Sequence, residues 1–247
     1  SFRTLIKPYS NKSFVKEEFT SMTSKSIGRS TLGLRKFGMF LSGGIDSSLI
    51  AYELNKHIDK LDSFTNKIEP NVIIRGEDHN SDAHIAKKYA DYLNLNHTEV
   101  TITPDIIVDE WDKAIYCIEE PRYNWNLPMY YFTNKYLSKN KIIVTMSGDV
   151  GDEIYGGYKQ YYNMKHLIKK PKKWREFLKI WVQKFSSPIK LNIKFDYNDL
   201  VDILEKTLPE EIWNPEDIAN SAMALDCITT VSEDFFSRND RYGMAFS

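Results

Sequence analysis

The chain has 247 residues, 33 basic and 34 acidic side chains and a formal net charge of −1. That length can bury a substantial core as one large domain or a domain with an appendage, and the balanced charge gives no argument for nucleic acid or an acidic partner. No apolar run approaches the roughly 20 residues of a membrane helix, and SFRTLIKPYS lacks a signal-peptide pattern, so a soluble, cytoplasmic protein without a membrane partner is expected. Residues 1–32 are polar and serine-rich without a strong period and read as a linker. From 36 the chain alternates: strand 36–41, helix 45–58, strand 62–68, then a polar excursion holding a short strand NVII at 71–74. SDAHIAKKYADYLNL follows as a helix with Ile85, Tyr89, Tyr92 and Leu93 on one face, and HTEVTI (97–102) as a strand. Thr103 and Pro104 supply a cap and an N1 proline for a helix whose apolar face is Ile107, Trp111, Ala114, Ile115 and Ile118. NLPMYYFTNKYLSK is a further helix, and IIVTM (142–146) a short apolar run of the kind buried in parallel sheets. Strands alternating with helices predict a doubly wound, mostly parallel α/β sheet.

Two cysteines, Cys117 and Cys227, lack the number for a disulfide framework and the spacing for a redox or metal motif, and read as core thiols. The histidines at 57, 79, 84, 97 and 166 contain no i, i+4 pair and lie near no cysteine, which argues against zinc. Residues 159–190 carry ten Lys or Arg against the single acid Glu176, interleaved with Trp174, Phe177, Trp181 and Phe185. That mixture could suit RNA, but the helical spacing of the aromatics favours an amphipathic helix with a solvated basic face.

Chemistry concentrates after two of the strands. LSGGIDSS (41–48) turns through Gly43 and Gly44 into a helix start bearing the hydroxyls of Ser42, Ser47 and Ser48, a pattern that suits an anion. A Walker loop would place a lysine there, whereas this stretch has Asp46. A carboxylate beside phosphate calls for a divalent ion between them; the alternative is a plain glycine turn with Asp46 in the favourable first turn of a helix. SGDVGDEIYGGY (147–158) repeats Ser-Gly after the second apolar strand, with three carboxylates and four glycines. In doubly wound sheets ligands bind beyond the carboxyl ends of strands where strand order reverses, so the loops after Leu41 and Met146 are the candidates. Asp46 and Asp152, one from each loop, could clamp one Mg²⁺ against a pyrophosphate.

With both loops in view, the chain resembles the synthetase domain of the asparagine synthetase family, a branch of the PP-loop ATP pyrophosphatases with a HUP-like sheet. Ser42 through Ser48 match the family's SGGxDSS, and Ser147 to Tyr158 approach its SGxGxDExxGGY. EDHNSDAHIAKKYADYLNLNHTEV, EEP, LPMY and LDCITTVSEDFFSRNDRYGMAFS resemble further family segments. The resemblance covers about 33–247 and implies ATP and Mg²⁺ as cofactors. It implies a reaction that adenylates a carboxylate, aspartate by default or another small carboxylate, releases pyrophosphate and then forms an amide with ammonia. It assigns pyrophosphate to Ser42, Gly43, Gly44, Asp46, Ser47 and Ser48, and the metal to Asp46 and Asp152. Adenosine falls to Phe40, Leu41, Asn66, Ser147 and Gly148, and catalysis to Asp149 and Glu153. Glu120, Tyr130, Asp240 and Arg241 stand at positions near the family's substrate, with salt-bridge or core roles equally open.

The sequence departs from the pattern in three places. SGDV replaces SGEG, so Asp149 stands for a glutamate and Val150 for a glycine, and Asn66 replaces an aliphatic residue. The family's glutaminase domain, with its cysteine nucleophile, would precede Ser1, and a pyrophosphate-stabilising lysine would follow Ser247. On this reading 1–32 is a linker or domain edge, and 33–247 a truncated synthetase domain with core 33–158 and helical part 159–247. Ammonia would then come from a glutaminase domain elsewhere, and a homodimer is compatible with the resemblance. Related enzymes with these loops close β-lactams, make lasso-peptide rings or amidate sugars. An amidotransferase or ring-forming synthetase on another carboxylate, or a nucleotide-binding module without turnover, therefore stands beside the asparagine reading.

Overall fold

The computed structural model describes residues 16–33, 36–69, 80–120, 122, 124–167, 169–183 and 196–246. The NVII segment, Pro121 of EEP, Phe185 and the first fifteen residues lie outside these. Two compact units divide the chain: one runs up to Asp149 and resumes at Phe235, and the other is Val150–Asp234.

The first unit holds α1 (Lys16–Ser30), β1 (Phe37–Phe40), α2 (Ile45–Leu54), β2 (Asp62–Ile68), α3 (Ser81–Tyr92), β3 (Asn96–Ile102), α4 (Pro104–Ile118), α5 (Asn126–Lys139) and β4 (Val144–Met146). After the second unit, α11 (Ser237–Met244) returns to it. The described strands form one sheet of order β3-β2-β1-β4 with every pair parallel. Alternating side chains sort the two faces. Met39 and Leu41 enter a cluster with Leu61, just before β2, and with Ile27, Ala51, Leu54, Ala86 and Ala90 from α1, α2 and α3. Phe64 and Ile68 enter another with Val100, Ile102, Leu137 and Ile142, joined by Phe40 and by Ile107, Met129 and Phe132 from α4 and α5. Helices therefore cover both faces, as a parallel sheet requires. Truncating a fully buried side chain such as Leu54 to alanine would cost about 2–5 kcal/mol.

The predicted strands and helices recur with instructive differences. Lys16–Ser30 is helical where the sequence reads as a linker; its only buried residue is Ile27, too little to write a periodic stripe. The helix expected to reach 58 ends at Leu54, where the Lys56 and His57 amides tighten to bonds three residues back. On α3 the face toward the core is Ala83, Ala86 and Ala90, while Ile85 is 51% and Tyr92 78% exposed. Tyr89 and Leu93 of the predicted face do pack against that cluster, and α3 lies against the turn at Gly43, where a Cβ would come within 2.7 Å of the Asp82 carbonyl oxygen and 3.0 Å of Ile85 Cβ. α4 follows expectation, with Thr103 accepting from the Ile106 amide and Pro104 at the helix start. IIVTM does not form a fully buried strand: β4 covers only Val144–Met146, at the edge among the described strands, and Ile143 is 56% exposed.

The second unit is helical: α6 (Gly151–Tyr155), α7 (Lys159–Lys165), α8 (Trp174–Gln183), α9 (Tyr197–Thr207), a 3₁₀ turn at Glu210–Ile212 and α10 (Ile218–Ile228). A π-helical turn, Val231–Phe236, leads out of it. The basic stretch is two helices rather than one, with Pro171 in the segment between them. Trp174, Phe177 and Trp181 are buried with Tyr161, Leu178 and Leu225, while the described lysines beside them are exposed. No helix among the described residues is long and apolar enough to cross a membrane.

Candidate nucleotide site at the strand-order reversal

From β1 the chain steps outward through β2 to β3, then returns to place β4 on the other side of β1. The reversal lies between β1 and β4, and the carboxyl ends of these two strands are where a doubly wound sheet takes its ligand. Both Ser-Gly loops begin there.

The first loop is built from the strand end upward. The Leu41 amide still donates to the Phe64 carbonyl at 2.9 Å, and the Thr65 hydroxyl donates to the Leu41 carbonyl, so the chain leaves β1 from a fixed point. Gly43 then takes φ +81, and a Cβ there would meet the backbone of α3, so glycine is required both by conformation and by space. Ser47 is 3% exposed and organises the turn: its Oγ accepts from the Ser42 amide at 3.2 Å, lies 2.9 Å from Ser42 Oγ, and donates to the Gly44 carbonyl at 3.1 Å. Gly44 sits at the N-cap of α2 without a side-chain cap, and its own amide donates to Ser42 Oγ at 3.3 Å. Asp46 stands in that first turn.

The second loop touches the first. A Cβ on Gly148 would stand 2.6 Å from the Ser47 backbone nitrogen, so the two loops are in backbone contact. Next to it, Asp149 Oδ2 accepts from the Ser147 hydroxyl at 2.9 Å and from the Asn239 amide at 2.8 Å. Of the residues predicted to border adenosine, Phe40 is half-buried, and Leu41 is 1% exposed with its side chain in the core, leaving only its backbone for a ligand. Asn66 Oδ1 lies 2.7 Å from the hydroxyl of buried Thr133, so the polar residue in place of an aliphatic one has a partner. Glu120 pairs with Arg122 at 2.5 Å, Tyr130 lies under the Arg238 guanidinium at 4.5 Å, and Arg241 Nη1 donates to Glu119 at 2.7 Å and to the Ile118 carbonyl at 2.8 Å. These contacts are salt bridges and packing, and they leave the substrate-facing alternative untouched.

Asp152 and Glu153 belong to the helical unit. A Cβ on Gly157 would collide with the Asp152 carboxylate, and the Gly156 and Gly157 amides both donate to the Asp152 carbonyl, so the glycine pair holds Asp152 tightly. Glu153 is 2% exposed, and burial raises its carboxyl above the usual range against the Tyr158 hydroxyl that lowers it, with Asp152 and Asp226 adding to the rise. Asp226, also buried, accepts from the Tyr161 hydroxyl at 2.6 Å and from Trp181 Nε1 at 2.9 Å. Burial, then Glu153 and Asp226, push the Cys227 thiol up to about 11. Both cysteines are half-buried and free. Oxygen donors on Asp46 and Asp152 are chemically suited to Mg²⁺, and the uncapped helix start with its hydroxyls to phosphate.

Sequence reasoning missed Asn239 and the Asp226 pair. Asn239 has no local signature, since it meets Asp149 across 90 residues. Asp226 could have been noticed as an isolated acid within ALDCI of an apolar helix.

A family model described as "Asparagine synthase" matches residues 18–247. An asparagine synthetase [glutamine-hydrolyzing] of Zea mays is 32% identical over 161 residues, 63% of this chain and 26% of that protein. Asparagine synthetase [glutamine-hydrolyzing] 2 of Oryza sativa subsp. japonica is 32% identical over 132 residues, 51% of this chain and 22% of that protein. The matches span about a quarter of these relatives' length.

Proposed function

The chain belongs to the asparagine synthase family, and on that premise we propose that it binds ATP beyond the carboxyl ends of β1 and β4 and couples its cleavage to amide formation on a small carboxylate, by default aspartate. The observation that carries this reading is the backbone contact of two Ser-Gly loops at the reversal of strand order.

In the proposed reaction a carboxylate oxygen of the substrate attacks the α-phosphorus of ATP, and pyrophosphate leaves. Ser42, Gly43, Gly44, Ser47 and Ser48 hold the pyrophosphate end through hydroxyls and helix-start amides. Asp46 and Asp152 would hold Mg²⁺, which when bound offsets the charge on the leaving pyrophosphate. Phe40, the backbone of Leu41, Asn66, Ser147 and Gly148 border adenosine. Ammonia then bonds to the acyl carbon of the adenylate, one of its protons passes to Asp149, and the bond from that carbon to the AMP oxygen breaks. The products are the amide and AMP. Glu153 stands with Asp149 as the second carboxyl facing the substrate and ammonia. Ammonia comes from hydrolysis of glutamine by a glutaminase domain or chain, in keeping with the glutamine-hydrolyzing relatives.

The test supplies the intact protein with ATP, MgCl₂, aspartate and ¹⁵N-ammonium, and measures AMP, pyrophosphate and labelled amide. Equimolar AMP and asparagine are expected. ATP binding without AMP or pyrophosphate release would leave a nucleotide-binding module. Pyrophosphate release only with a different carboxylate would move the substrate, a second reading favoured by the shorter Asp149 in the place of a family glutamate.

A further inference from the structure

Asp149 is an exposed loop carboxylate held from a second element. Exposed carboxylates ordinarily sample several rotamers, and a group that must meet a nucleophile loses rate with each wrong one. Here, among the described residues, both hydrogen bonds to the carboxylate fall on Oδ2: one from Ser147 in its own loop, the other from Asn239 on α11. Oδ1 is left for another partner.

The element that delivers Asn239 is firmly seated. Tyr242 is fully buried and donates its hydroxyl to the Ala114 carbonyl at 3.2 Å. Arg241 binds the end of α4 through the Ile118 carbonyl, and buried Arg238 stacks on Tyr130 of α5. Positions 238, 241 and 242 thus lock α11 onto α4 and α5, and Asn239 stands off that contact, exposed, with its amide on Asp149. The contact requires a donor. An oxygen in place of Nδ2 would face the carboxylate with a second acceptor.

We propose that Asn239 is a positioning residue for amide formation: by holding Asp149 Oδ2, together with Ser147, it presents Oδ1 to the attacking nitrogen. This rests on the role of Asp149 given above. Asn239 makes no claim on the nucleotide, so it should affect the second half of the reaction and leave the first alone.

The experiment compares Asn239→Ala, Asn239→Asp and Asn239→Gln in the intact protein. Two rates are read: ATP–pyrophosphate exchange with aspartate for adenylation, and amide formation from ammonium for the second half. Removing or inverting the donor should lower kcat for amide formation about 10- to 100-fold, with exchange, KM for ATP and the unfolding midpoint unchanged, and Asn239→Gln should recover much of the loss. Unchanged amide formation in the alanine and aspartate variants overturns the inference. Equal loss in both half-reactions, or a lowered unfolding midpoint that accounts for the loss, also overturns it by showing a general structural role. A wild-type protein that exchanges pyrophosphate with no carboxylate and forms no amide sinks the proposed function itself, and this inference with it.

Discussion

Gly148 lies so close to Ser47 that a methyl group there would stand 2.6 Å from the Ser47 backbone nitrogen. Backbone on backbone cannot yield as a side chain can, so Gly148→Ala must push the two loops apart. The variant should fold with a loss of about 1–3 kcal/mol and bind ATP at least about tenfold more weakly, as misplacement by about 1 Å would require. Denaturant titration and calorimetry read the two effects separately. Wild-type affinity in the variant would show that the loop contact does not shape the nucleotide site.

Val150 takes φ +78 at the start of α6, a left-handed conformation that a β-branched side chain rarely adopts. Val150→Gly relieves the clash of Cβ with the backbone, which is worth roughly 1–2 kcal/mol, less the greater chain entropy that glycine loses on folding. The expected outcome is a net gain in unfolding free energy of about 1 kcal/mol or less, read by chemical denaturation. A destabilised glycine variant would mean that the valine side chain contributes packing larger than the strain.

Asp46 and Asp152, if they share one magnesium, should be non-additive. Asp46→Asn and Asp152→Asn are each expected to weaken magnesium-dependent ATP binding by about tenfold or more, and the double change little further. Binding measured with and without Mg²⁺ checks this; the difference between the two conditions should vanish in each variant. Losses that multiply would show independent roles.

His97 offers a pH test away from the candidate site. Its Nδ1 lies 2.9 Å from the Ser63 hydroxyl, and its Nε2 is buried without a hydrogen-bond partner among the described residues. Burial first, then Lys87, lower its pKa below the ordinary 6.5, against the opposite pull of Glu99 and Asp91. The unfolded chain therefore takes up this proton at a higher pH than the folded one. The contribution to stability is full above 6.5 and is lost as pH falls from there through the lowered folded value. Thermal unfolding should show a smaller drop between about pH 7.5 and about pH 5 in His97→Asn than in wild type. Equal slopes would show that the ring titrates normally.

The strands and the loops after them were legible in the sequence because short apolar runs and Ser-Gly turns are local signals. β2 spans the predicted residues, and the two loops flank the reversal of strand order as the α/β alternation implied. What escaped was decided by contacts distant in the chain. Of the predicted inner face of α3, Tyr89 and Leu93 pack on the core, while Tyr92 is exposed and Ile85 lies beside the turn at Gly43, half out in solvent. Ile143 looked buried, but it is 56% exposed, and β4 is at the edge among the described strands. α1 buries one residue and so leaves hardly any periodic trace. At the candidate site, residue types named the loops, while the tether of Asp149 to Asn239 depends on where α11 comes to rest.

The strand order also sets an order of events in time. β2 meets β3 across a connection of some thirty residues, whereas β1 meets β4 between Phe37 and Val144, more than a hundred residues apart. Closing the longer loop costs more chain entropy, and long-range pairings form late. On a growing chain β1 therefore waits with one edge unpaired, its FGMF backbone open to pairing with the wrong neighbour until β4 has been synthesised. The candidate site exists only after that last pairing. A nucleotide that binds there would recognise the finished sheet alone, and would draw late intermediates toward it by mass action.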